Sequence, residues 1–130
     1  MARVTVVNDN PEFLDLVRDI LEGDRYDAAT IDGDRDDALD TIRASRPDLL
    51  MIDLRMGSDE LHGWDIAQQI RADPAFDGLP ILICSADVPA LKELEEDLAH
   101  KQQVSSLIKP FGIEELTAAI DGLLAESAAR

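Results

Sequence analysis

The chain has 130 residues, 45% of them apolar, which is one domain's length and enough to bury a core without staples. Its 28 acids against 12 bases give a formal net charge of -16, so its surface repels nucleic acid phosphates and anionic membranes alike. No apolar run reaches a membrane span, the first residues do not read as a secretory leader, and the single Cys84 excludes an internal disulfide framework, so a soluble cytoplasmic protein is expected.

Val4-Thr5-Val6-Val7 reads as a buried strand that stops at Asn8-Asp9. Asn10 before Pro11 is a cap followed by a proline at the first helical position. Phe13, Leu14, Val17, Ile20 and Leu21 continue at helical spacing to Gly23. Tyr26 to Ile31 is a weaker strand. Asp34 to Ala44 is a helix with Ala38, Leu39 and Ile42 on one face, ended by Pro47. Leu49 to Ile52 is a continuous apolar strand ending at Asp53, and 54–63 read as loop. Trp64, Ala67 and Ile70 mark a third helix closed by Asp73-Pro74. Ile81 to Cys84 is a further apolar strand, and Leu91, Leu94 and Leu98 give a fourth helix. Leu107-Ile108 ends at Lys109-Pro110, and Ile113, Leu116, Ile120, Leu123 and Leu124 form the last amphipathic helix.

Strand and helix alternate five times, and several strands are apolar throughout. That pattern predicts an α/β protein with a doubly wound parallel sheet covered by helices on both faces. Ligands of such sheets bind beyond the carboxyl ends of the strands. The residues there are Asn8, Asp9, Asp53, Ser85 and Lys109. Two carboxylates at one edge repel and raise each other's pKa unless a hard cation such as Mg²⁺ sits between them. A lysine and a hydroxyl opposite them suit a phosphoryl group, and a carboxylate can itself be the nucleophile that receives one. Cys84 reads as a small core residue, and His62 and His100, with no second ligand at metal spacing, read as solvated.

At these residues the chain resembles the receiver domain of two-component response regulators, including its stand-alone chemotaxis form. The resemblance rests on Val6-Val7-Asn8-Asp9-Asn10, Leu49 to Met56, Ile81 to Ala86, and Ile108-Lys109-Pro110-Phe111. It implies one receiver domain over 1–130, three layers thick, with five strands in the flavodoxin-like order 2-1-3-4-5. It implies that Asp53 is the phosphoacceptor and that Mg²⁺ is held by Asp9, Asp53 and the backbone carbonyl of Arg55, with Asn8 acting through water. Ser85 would bond a phosphoryl oxygen, small Ala86 would leave access, and Lys109 would pair with the phosphoryl group; the Lys109-Pro110 bond would be cis. Asp53, Ser85 and Lys109 would then carry a self-catalysed phosphotransfer, without the chain being an enzyme for a separate substrate. The implied partners are a sensor histidine kinase or phosphotransfer protein and an unidentified downstream protein. The fourth and fifth helices are the implied face of a homodimer, and neither nucleic acid nor membrane is a partner.

Four departures stand out. Asn8 replaces the first of two adjacent acids, Gly57 replaces a proline, the spacing from Asp53 to Gly63 is two residues longer than the common pattern, and Ser106 replaces a switching aromatic. Asn8 and Ser106 favour an alternative: a pseudo-receiver that works as an interaction module without phosphorylation. An aspartate-nucleophile phosphatase is disfavoured, because Arg55 stands where its general acid would be. A flavin carrier is disfavoured by 4% aromatic residues and the lack of a phosphate loop after the first strand.

The acids comprise 19 Asp and 9 Glu, and the bases 9 Arg and 3 Lys. Such a surface self-repels less when screened, as in a protein adapted to high salt. The expected outcome is a melting temperature that rises with salt concentration; a salt-independent one would remove this reading.

Overall fold

The structure is a computed structural model that describes residues 2–34, 36–54, 62–94 and 104–128. Strand β1 (Arg3–Asn8) is followed by α1 (Pro11–Gly23), β2 (Asp27–Asp32), α2 (Ala38–Ser45), β3 (Leu49–Asp53) and α3 (His62–Ala72). A 3-10 turn over Pro74–Phe76 leads to β4 (Ile81–Ser85), α4 (Val88–Glu93), β5 (Val104–Ile108) and α5 (Ile113–Ala128). The strands form one parallel sheet in the order β2-β1-β3-β4-β5. This is the flavodoxin-like three-layer arrangement expected from the sequence.

Alternation along each strand divides the core. Leu50, Ile52, Ile81 and Ile83 pack with α2, α3 and α4 through Ile42, Trp64, Ile70 and Leu91. Leu49, Met51, Leu82 and Cys84 pack with α1 and α5 through Leu14, Val17, Leu21, Leu116 and Ile120. The period of two carries past the strand ends. It puts Asp53 and Lys109 on the α1/α5 side and Ser85 on the other, so side chains from both faces of the sheet reach the carboxyl edge. Among the described residues no helix is long and apolar enough to cross a membrane.

Several boundaries differ from expectation. α2 begins at Ala38 rather than Asp34, because Asp32 Oδ1 accepts the Asp34 N–H at 3.0 Å and holds residues 33–34 in a turn. β5 begins three residues earlier than its apolar pair Leu107-Ile108, since an edge strand can carry exposed Ser105 and Ser106. Leu98 and His100 lie outside the described residues. α3 begins at His62, inside the segment read as loop.

Gly63 explains that early start. It donates its N–H to Leu54 O at 3.0 Å, and a Cβ there would stand 1.7 Å from the Asp53 carbonyl oxygen. Only glycine allows the first turn of α3 to lie against the backbone of β3. Gly122, inside α5, faces open space. Gly63→Ala should therefore lose about 1–3 kcal/mol through enforced displacement. Gly122→Ala should gain about 0.5–1 kcal/mol through helix propensity. Urea unfolding of the two variants checks the contrast; equal effects would mean that the close approach at Gly63 is not limiting.

Candidate functional site

The carboxyl edge of the sheet gathers Asn8, Asp9, Asp53, Ser85 and Lys109. β3 and β4 run in register from Leu50 opposite Ile81 to Asp53 opposite Cys84, so Asp53 is delivered at the end of a fully buried strand. Leu54 N–H donates to Cys84 O at 2.9 Å and fixes the exit of β3. Lys109 N–H donates to Ser85 O at 2.9 Å, which anchors the lysine backbone beside β4. The Lys109-Pro110 bond is cis, as the resemblance implies.

The side chains meet. Lys109 Nζ lies 2.6 Å from Asp53 Oδ1, with the two side chains 23% and 14% exposed. That contact is short and partly desolvated, unlike a surface ion pair. Beyond this ion pair, Oδ1 has no hydrogen-bond partner among the described residues. Burial pushes the Asp53 carboxyl up from its ordinary value; Lys109 opposes the shift, and the Asp9 charge adds to it. Asp9 itself is exposed at the end of β1.

Two polar residues at the edge are engaged in turns. Asn8 is buried, and its Oδ1 accepts the Asn10 N–H at 2.8 Å. Ser85 is buried, and its Oγ accepts the Asp87 N–H at 2.9 Å, leaving its own O–H to donate. Ala86 follows it and is exposed. Arg55 lies outside the described residues. Cys84 is inert: burial pushes its thiol up to about 12.

The donor set at the edge is hard oxygen. Asp9 and Asp53 interact electrostatically, and one Asp53 oxygen is buried with lysine as its sole partner among the described residues. No group of three or more His, Cys, Asp or Glu converges among the described residues. Two carboxylates without a full cage fit a small divalent cation that keeps much of its water.

Sequence reasoning missed two features. His62 is not simply solvated: its Nε2 lies 3.1 Å from Gly33 O, tying α3 to the loop after β2. Phe13, read as a core position of α1, has its ring under the lysine, 4.3 Å from Lys109 Nζ to the centroid. A signal for the second was present: Phe13 falls in the first turn of α1, four residues after Asp9, and so at the carboxyl edge.

Residues 4–121 match the response regulator receiver domain model. The chain belongs to that family. It is 32% identical over 119 residues to the DNA-binding response regulator MtrA of Mycolicibacterium smegmatis, covering 91% of this chain and 48% of MtrA. The chain therefore spans about half the length of that relative. The fold is shared with the chemotaxis protein CheY4 of Vibrio cholerae, at a TM-score of 0.78 and 24% identity over 95% of this chain and 98% of CheY4. It is shared too with the response regulator TrrA of Thermotoga maritima, solved in complex with Mg²⁺ and BeF, at a TM-score of 0.77 and 24% identity over 95% and 99% of the two chains.

The raised Asp53 pKa has a consequence for stability. Below pH 3.8, the ordinary aspartate value, the carboxyl is protonated in both the folded and unfolded states and contributes nothing. As the pH rises past that value the unfolded chain loses its proton first, and the fold is penalised. Asp53→Asn should therefore melt higher than wild type at neutral pH, with the gain fading as the pH falls towards 3.8. A variant that melts lower at neutral pH would show that the Lys109 pair outweighs burial.

Proposed function

We propose that this receiver domain accepts a phosphoryl group on Asp53 from a sensor histidine kinase or phosphotransfer protein in the cytoplasm, and passes the signal on by protein–protein contact. The observation that carries the reading is the 2.6 Å pair between Lys109 Nζ and Asp53 Oδ1 at the carboxyl edge of a receiver sheet. The nucleophile and the cation that would neutralise its product are already in contact.

In the proposed transfer a carboxylate oxygen of Asp53 bonds to phosphorus. The bond from phosphorus to the donor imidazole nitrogen breaks, and the imidazole keeps the electron pair and takes up a proton. Lys109 moves its ammonium from Asp53 Oδ1 to a phosphoryl oxygen, and the free O–H of Ser85 donates to another. Exposed Ala86 leaves the approach open. Asp9, Asp53 and the Arg55 carbonyl would hold Mg²⁺, with Asn8 in reach through water; the cation would neutralise charge on the carboxylates and the phosphoryl oxygens. Transfer and later hydrolysis are self-catalysed, so the chain is a phosphoacceptor. A homodimer through α4 and α5 belongs to the same proposal.

One observation favours the pseudo-receiver instead. Asn8 brings no charge where the family has an acid, and its oxygen already serves the Asn10 N–H. The two readings separate by intact mass after incubation with Mg²⁺ and acetyl phosphate. The expected outcome is one base-labile phosphoryl group on wild type and none on Asp53→Asn. If wild type takes none, and histidine kinases also fail as donors, the interaction-module reading replaces this one. Omission of Mg²⁺ should slow the transfer by at least about tenfold, since charge neutralisation dominates phosphoryl transfer.

A further inference from the structure

Lys109 has a second neighbour besides Asp53. Its Nζ sits 4.3 Å from the centroid of the Phe13 ring. Phe111, two residues beyond the lysine, packs edge-on against Phe13 with centroids 6.2 Å apart and planes at 82°. The Phe13 backbone is pinned as well. Asn10 Oδ1 accepts the Glu12 N–H at 2.9 Å and the Phe13 N–H at 3.3 Å, capping α1. A capped helix start and a perpendicular ring thus fix the aromatic face on which the ammonium rests.

The chemistry of this contact differs from that of an ion pair. A ring face attracts an ammonium through its quadrupole and uses none of its N–H donors. Lysine is a point charge on a flexible four-carbon stem, with much rotamer freedom to lose. A ring that holds the charge over the carboxylate removes that freedom before a donor arrives. With one N–H on Asp53 and none on the ring, two remain for phosphoryl oxygens.

We propose that Phe13, braced by Phe111, is a positioning residue for phosphoryl transfer, its ring face holding the Lys109 ammonium over Asp53. The role rests on the receiver reading given above. With acetyl phosphate as donor, an Asp53 carboxylate oxygen bonds to phosphorus, the phosphorus–oxygen bond to acetate breaks, and acetate leaves with the electron pair.

The test is a time course of intact mass on the full chain with Mg²⁺ and acetyl phosphate, for wild type, Phe13→Leu, Phe13→Tyr and Phe13→Trp. Phe13→Leu should be slower by about 3- to 10-fold, the loss of one partly desolvated cation–π contact. Tyr and Trp should restore most of the rate, because each keeps a π face. The Lys109 ε-methylene protons should be shifted upfield in the wild-type NMR spectrum and return towards the free-lysine position in Phe13→Leu. A wild-type rate in Phe13→Leu, Tyr and Trp variants as slow as Leu, or an unshifted ε-methylene in wild type would each overturn the assignment. If Phe13→Leu does not fold, the Tyr and Trp rates and the wild-type spectrum still decide. A wild type that takes no phosphoryl group fails at the receiver reading itself and removes this role with it.

Discussion

The carboxyl edge is organised around one charge that its surroundings would sooner not hold. Burial pushes the Asp53 carboxyl towards its neutral form, and Asp9 pushes the same way. Lys109 resists both from 2.6 Å. Neither partner is placed by its own flexibility. Asp53 ends a strand whose other side chains are all buried, and the Lys109 backbone is bonded to the end of β4. The carboxylate is thus held between burial, which favours its neutral form, and a lysine, which favours its charged one.

The loops at that edge are joined to one another as well as to the sheet. Gly33 N–H donates to Asn8 O at 3.1 Å, linking the exits of β2 and β1. The Gly33 carbonyl meets His62 of α3, and Gly63 of the same turn bonds back to Leu54 beyond β3. Leu54 in turn bonds to Cys84 of β4, and Ser85 holds Lys109 of β5. A succession of short contacts therefore runs round the edge through all five strand exits. A displacement at Asp53 meets backbone at Gly63 before it meets anything soft.

The fold was legible because β1, β3 and β4 are apolar enough to announce burial on both faces, and the turns after them carry the polar residues. The gathering of Asp53 and Lys109 at one edge followed from that topology, since parallel strands leave their carboxyl ends together; their direct ion pair did not. Other features depend on tertiary context that no local pattern carries. The start of α2 was misplaced because Asp32 draws the following residues into a turn, a choice invisible to apolar spacing. Phe13 looked like one more apolar position of an amphipathic helix, and only the third dimension puts its ring under Lys109. His62 lacked any neighbour in sequence that would have revealed Gly33 as its partner.

The bond from Gly63 N–H to Leu54 O also ties the start of α3 to the exit of β3. The two ends of that connection are set by backbone contacts on either side, whatever number of residues separates them. Adding two residues to a connection of roughly this length costs only about 0.2–0.3 kcal/mol of closure entropy. A change in the number of residues between Leu54 and Gly63 therefore costs little in closure entropy. Whatever that number, the Gly63 N–H and the Leu54 carbonyl hold the exit of β3 and the start of α3 together.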